Sequence, residues 1–173
     1  MNESQRATGE EPLPSKVLII VRHGIAEDRT EEKPDNEREL TAKGRKRMKQ
    51  IAKRLAKLLP EPDALISSPY VRAVQTALFI SKAHDGAVTV RTSDALTPGS
   101  SPEEFVALVR SQDFRLMFVV GHEPNLTRGM CALTGMSGAG LELKKGGIYA
   151  VTIDGEESDL EWMLPPRILR RLK

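Results

Sequence analysis

Two patterns of apolar residues alternate along the chain. Val17 to Val21 and Leu116 to Val120 are unbroken apolar runs rich in β-branched residues, the mark of strands buried on both faces. Ala64 to Ser67 and Val88 to Arg91 read as two shorter strands. Between them the apolar positions return every three or four residues. Met48, Ile51, Leu55, Leu58 and Leu59 form such a stripe, opened by Thr41 as an N-cap and stopped by Pro60. Val71 to Ala83 and about Pro124 to Leu133 are further helices. Another opens at Ser101-Pro102-Glu103-Glu104, with serine as N-cap and proline at the first helical position, and runs through Arg110. Ile148 to Ile153 and Leu160 to Met163 alternate around Asp154-Gly155, as a hairpin does. This order predicts an α/β fold: a three-layer sandwich with a mainly parallel central sheet, helices on both faces and a C-terminal antiparallel hairpin.

Length and composition narrow the class of protein. A chain of 173 residues suits one domain, expected over 16–173, behind a disordered leader over 1–15 that is rich in Glu, Ser, Gly and Pro. Aromatic residues make up 4% of the chain and the net charge is +2, which speaks against a general nucleic-acid binder. No apolar stretch reaches the length of a membrane span, and residues 1–15 lack the apolar region of a signal peptide, so the expectation is a cytoplasmic protein without a membrane partner. Cys131, the single cysteine, sits at helical spacing with apolar residues and reads as core. A cysteine phosphatase would need arginine six positions later, where Ser137 stands. No His, Cys, Asp and Glu cluster has metal-ligand spacing, so no metal or organic cofactor is expected.

Several segments have bland readings. The strongly basic faces of the Thr41-to-Pro60 helix suit a solvated helix balanced by the acidic stretch Glu27 to Glu39, with docking of an acidic protein as the alternative. That acidic stretch should arch over one side of a pocket. His84, before Asp85-Gly86 at a helix end, reads as exposed. The glycines from Gly135 to Gly147 lack the Lys-Ser or Lys-Thr of a phosphate-binding loop and suit a flexible loop beside the pocket.

The chemistry gathers where strands end. Arg22-His23-Gly24 follows the first run, Gly121-His122 closes the fourth, and Ser67-Ser68-Pro69 breaks the second before delivering Arg72 about one turn into the next helix. Open α/β sheets place ligand sites at these carboxyl ends. Two arginines there can grip phosphoryl oxygens with paired planar donors, and they disfavour protonation of a neighbouring imidazole. His23 is then the candidate nucleophile, its tautomer fixed by a hydrogen bond from the other ring nitrogen to a carbonyl. Gly24 would allow a tight turn with the backbone close to the phosphate.

These strings, with Leu40-Thr41-Ala42-Lys43-Gly44, Arg72-Ala73-Val74-Gln75-Thr76, Leu96-Thr97-Pro98-Gly99 and Gly147-Ile148-Tyr149-Ala150-Val151-Thr152 plus Trp162, resemble the histidine phosphatase superfamily, over residues 16 to 169. With the short chain, the likeness is to its small SixA-like phosphohistidine phosphatases. The resemblance implies a phosphoryl group carried on His23, with His122 as the second histidine contacting the transferring oxygens. It implies protein phosphohistidine as substrate, on a phosphotransfer domain or phosphorelay component, with inorganic phosphate as product. Members that act on phosphate esters supply a carboxylic acid beside the leaving oxygen. Glu27, Glu103, Glu104 and Glu123 are the candidates, and each also fits a loop or helix-start charge. A phosphatase of a small phosphorylated metabolite and a noncatalytic phosphate-binding module remain the alternatives.

Overall fold

The computed structural model describes residues 15–172, so the expected leader, apart from Ser15, lies outside the described residues, as does Lys173 of the expected domain. Six strands form one sheet: β1 (Lys16–Arg22), β2 (Ala64–Ser67), β3 (Val90–Thr92), β4 (Leu116–Gly121), β5 (Ile148–Asp154) and β6 (Glu157–Leu164), in the order β3-β2-β4-β1-β5-β6. The first four are parallel. The hairpin adds β5 antiparallel to β1 and β6 antiparallel to β5.

Helices on both faces explain why the central runs are apolar without a break. From β1, Ile19 and Val21 point to one core with Met48, Ile51 and Leu55 of α1 (Ala42–Leu58), Ala73, Ala77 and Ile80 of α2 (Val71–Ala83), and Leu169 of α5 (Pro166–Leu169). Leu18 and Ile20 point to the other, with Phe105 of α3 (Pro102–Arg110) and Leu126 and Met130 of α4 (Asn125–Thr134). Each such side chain, taken fully out of water, contributes about 1.5–3 kcal/mol relative to exposure. Thr41 caps α1 by accepting the Gly44 N–H, and Ser101 and Glu104 close a reciprocal capping box at α3.

Where the elements differ from expectation, the causes are local. β3 covers Val90–Thr92 rather than Val88 to Arg91, because Val88 packs into the core before pairing with β2 begins at Leu65 and Val90. β6 starts at Glu157, earlier than Leu160, since an edge strand with polar outward residues hides its alternation. α4 runs one residue later than expected and stops at Gly135, whose φ of 70° is the left-handed ending of a helix. Arg72 lies in the first turn of α2, not a full turn inside it. His84 is a clearer correction. It is buried, 9% exposed, with its ring edge-on to Phe118 at 6.1 Å, because the end of α2 turns back onto the sheet. Cys131 is half-buried: it packs against the edge of the core that holds Leu126 and Met130 and also faces a groove beside Gly138 and Leu141.

Among the described residues, no helix is long and apolar enough to cross a membrane. Parallel pairing of β1 with β4 puts Arg22 opposite Gly121, so His23 and His122 leave neighbouring strands at the same level.

Candidate active site

Arg22, His23, Arg72 and His122 meet in a cleft of about 310 Å³ at the carboxyl ends of β1, β2 and β4. The two imidazole rings lie 4.9 Å apart, and both are buried. His23 is held from both sides. Its Nδ1 is 2.7 Å from the Gly24 carbonyl, and its Nε2 is 3.3 Å from Arg72 Nε. Arginine can only donate, so Nε2 must be the acceptor and Nδ1 carries the ring proton to the carbonyl. Burial drives the His23 pKa down to about 3, and the charges of Arg72, Arg22 and Lys145 push the same way against the Gly24 hydrogen bond. The ring is therefore neutral at ordinary pH, with its unprotonated nitrogen in the cleft.

His122 is lowered to about 2, first by burial and then by His23 and Arg72. Its Nε2 pairs with Ser68 Oγ at 2.9 Å, while Nδ1 is buried without a protein partner. Tyr70 sets its ring edge against His122 at 5.0 Å and lies under the Arg72 guanidinium at 5.0 Å. The strand break at Ser67-Ser68-Pro69 thus supplies Ser68 and Tyr70 to position both partners.

The arginines differ in how they are tied. Arg22 donates from NH1 to the Leu143 carbonyl at 2.6 Å, and its buried Nε has no protein partner. Arg72 reaches His23 through Nε and spends NH1 and NH2 on Asp35, the first on its carbonyl and the second on Oδ2 at 3.0 Å. Asp35 Oδ1 also accepts from Arg38 and Arg29. Partial burial would raise the Asp35 carboxyl, but the hydrogen bonds from Arg38 and Arg72 outweigh it and hold the pKa at about 2.

Gly24 does not play the expected part. Its N–H donates to Thr76 Oγ1 at 3.1 Å, so it is not offered to a ligand. A Cβ there would come within 2.5 Å of Met48 Cγ, which makes this glycine a seat for α1 against β1.

The four candidate acids separate. Glu27 lines the cleft but is paired with Lys33 at 2.5 Å, and that hydrogen bond leads the lowering of its pKa. Glu103 lies outside the cleft in the groove by α4, and Glu104 is consumed by the capping box. Glu123 alone of the four lines the cleft with a pKa raised by burial, opposed mainly by its hydrogen bonds from Thr127. Thr127 Oγ1 lies 2.7 Å from Glu123 Oε1 and 3.1 Å from the buried Tyr149 hydroxyl.

Sequence reasoning passed over Asp35, Arg38, Ser68 and Lys145. Ser68 stood inside a quoted motif, and Asp35 was one acid among several in a stretch assigned to the pocket rim. A buried arginine demands a counter-charge, but nothing in the chain says which acid supplies it. The segment after Gly135 does border the cleft. From Leu143 it is pinned rather than loose, since Gly146 N–H donates to the carbonyls of Arg22 and His23. Among the described residues, no group of three or more His, Cys, Asp or Glu side chains could hold a metal ion.

Two histidines and two arginines converge on this one cleft, an arrangement able to hold a phosphoryl group. The profile of the histidine phosphatase superfamily (branch 1) matches residues 18–97. An uncharacterized protein of Picosynechococcus sp. is 37% identical over 139 residues, covering 78% of this chain and 83% of that protein. Among solved structures, the protein histidine phosphatase SixA complexed with tungstate shares the fold at a TM-score of 0.79, with 22% identity over 88% of this chain and 99% of that one. The putative phosphohistidine phosphatase SixA from Agrobacterium tumefaciens follows at 0.76, with 23% identity over 89% and 99%. Residues 18–97 thus match the histidine phosphatase superfamily, and the fold of the chain is that of the SixA proteins.

Proposed function

We propose that the protein hydrolyses phosphoryl groups through a covalent intermediate on His23 and that protein phosphohistidine is the donor. The observation that carries this reading is the state of His23: proton on Nδ1, donated to Gly24, and an unprotonated Nε2 between Arg72 and His122. In the first step the Nε2 lone pair forms a bond to phosphorus as the bond from phosphorus to the leaving group breaks. Arg72 Nε–H gives up its contact with Nε2 and moves onto a phosphoryl oxygen. Arg22 and Arg72 neutralise the charge of the transferring oxygens, and His122, uncharged in its buried position, contacts them as a hydrogen-bond donor. In the second step water attacks phosphorus, the bond to Nε2 breaks, and inorganic phosphate departs.

Leaving-group chemistry favours phosphohistidine. An alkoxide must be protonated as it leaves, whereas a protonated phosphohistidine ring departs as neutral imidazole near neutral pH. Likeness to structures described as phosphohistidine phosphatases supports the same substrate. One observation favours a second reading, a phosphatase of small phosphate monoesters: Glu123 is a carboxyl group in the cleft with a raised pKa. Comparing kcat/KM for a phosphohistidine peptide and for sugar phosphates, in parental protein and in Glu123→Gln, tests the choice. The expected result is a preference for the peptide that survives the substitution. Preference for sugar phosphates, lost in Glu123→Gln by roughly a hundredfold, would assign the monoester activity with Glu123 as its acid.

A further inference from the structure

Among the described residues, the acidic stretch over Glu27 to Glu39 meets the basic helix in a single ion pair. Glu27 pairs with Lys33, and Asp35 serves Arg29, Arg38 and Arg72. Among the described residues, Arg45, paired with Glu39, is the one α1 cation in an ion pair. α1 has no acidic residue at all, so its charged pairs four apart, such as Lys49 with Lys53 and Lys53 with Lys57, are all of like sign and mutually repulsive. Lys43 in the first turn also opposes the helix dipole. Helix stability does not account for such an arrangement.

The fold then adds to the charge. α5 packs on α1 through the buried Leu169, carries Arg167 and is followed by Arg170 and Arg171, with Arg170 near enough to Arg47 to feel its charge. Among the described residues, the large exposed apolar side chains include Leu58 and Ile168 on these two helices, which puts apolar surface beside their cations. The cleft loop is seated on both helices: Lys145 lines the cleft, and the next residue, Gly146, packs against the core-facing Met48 and Ile51 of α1 and Pro166 of α5.

We propose that the α1–α5 face docks an acidic protein surface and so selects acidic phosphoproteins as donors for the cleft. Acidic side chains there would relieve the like-charge repulsion within α1 and between Arg47 and Arg170, and would hold the phosphorylated residue at the mouth beside Lys145. This deepens the phosphatase reading and rests on it for the chemistry, while the docking can be measured apart from turnover.

The experiment uses three substrates with the whole protein: phosphoramidate, a phosphohistidine peptide with a tail of Asp and Glu, and the same peptide with a Gly-Ser tail. The acidic-tailed peptide should have a kcat/KM roughly tenfold above the Gly-Ser peptide at low salt, an advantage that shrinks as salt rises. The triple variant Arg47→Glu, Arg54→Glu, Arg170→Glu should lose that advantage and keep the phosphoramidate rate. Its melting temperature should hold, because the pairs of Lys43 with position 47 and of Lys57 with position 54 become opposite in sign while positions 47 and 170 stay alike. Equal kcat/KM for the two peptides, with phosphoramidate hydrolysed, would overturn the docking surface. Failure of the parental protein to hydrolyse phosphoramidate would instead sink the phosphatase reading. Fluorescence anisotropy with the unphosphorylated acidic tail and a single-stranded oligonucleotide of equal charge separates the cases. Binding of the tail, lost in the triple variant, supports the proposal; binding of the oligonucleotide alone, or of neither, overturns it.

Discussion

The two walls of the cleft are built by different means. On one wall Arg22, His23 and His122 leave the ends of two hydrogen-bonded strands, and the register of β1 with β4 sets their separation. On the other, Glu27, Arg29 and Arg38 hang from the loop between β1 and α1, where one carboxylate, Asp35, ties three arginines together. Arg72 joins the walls, touching His23 with one edge and Asp35 with the other. The strand wall is fixed by the sheet, which cannot shift without breaking the core. The loop wall is fixed by charge, and its geometry depends on a few partners.

Breaking the link between the walls should give the largest effect. Arg72→Ala should lower kcat/KM roughly a hundredfold to a thousandfold, and Arg72→Lys should recover little, because one ammonium cannot face His23, the phosphoryl group and Asp35 together. Steady-state kinetics on folded protein checks this; full rescue by lysine would mean that charge alone matters there.

Acid should separate the walls by stability. His23 and His122 have pKa values depressed to about 3 and about 2 from 6.5, so the unfolded chain binds their protons first as pH falls. Their neutral burial is fully compatible with folding above pH 6.5, and stability is lost progressively below it, by an amount on the order of a few kcal/mol. Asp35, depressed to about 2 from 3.8, gives stability present above pH 3.8 and lost as pH falls through 2. Denaturant melts across pH should therefore fall from about 6.5 downward in the parental protein, and less steeply in His122→Gln. An unchanged slope in that variant would remove His122 from the account.

A smaller effect is expected from the loop side. Asp35→Ala should free Arg72 NH2 from the carboxylate, leaving NH1 on the backbone carbonyl, and lower kcat roughly tenfold through misplacement of the guanidinium. The diagnostic is a larger loss in kcat than in affinity for tungstate, since removing a negative charge beside the anion site favours anion binding. Loss of tungstate affinity with kcat intact would make Asp35 a merely structural residue.

The smallest change in activity should come from Gly24→Ala. Overlap with Met48 should lower stability by about 1–3 kcal/mol while turnover stays within a few-fold. That outcome would confirm that the glycine seats α1 rather than offering its backbone to phosphate.

The same contrast explains what the sequence made legible. The apolar runs of β1 and β4 and the residues at their ends follow from period and burial, and Arg22, His23 and His122 converge where strand-end reasoning expects them. Arg72 was found through the strand break before it. Asp35 and Lys145 were not, because an ion pair across 37 positions or a loop pinned by Gly146 leaves no periodic trace. Gly24 was visible as a glycine, but its purpose depended on Met48, a tertiary neighbour. Glu123 was visible only as one acid among four, and burial set it apart.

In the proposed reaction His23 Nε2 takes the phosphoryl group. Mixing the parental protein with a radiolabelled phosphohistidine peptide, quenching in alkali and mapping the label should find it on His23. The acid-labile, alkali-stable linkage of a phosphoramidate should be seen, and His23→Ala, with an unchanged fold by circular dichroism, should lose both label and turnover. A folded His23→Ala protein that still turns over the peptide at near-parental rates, or label trapped on another residue, would contradict it.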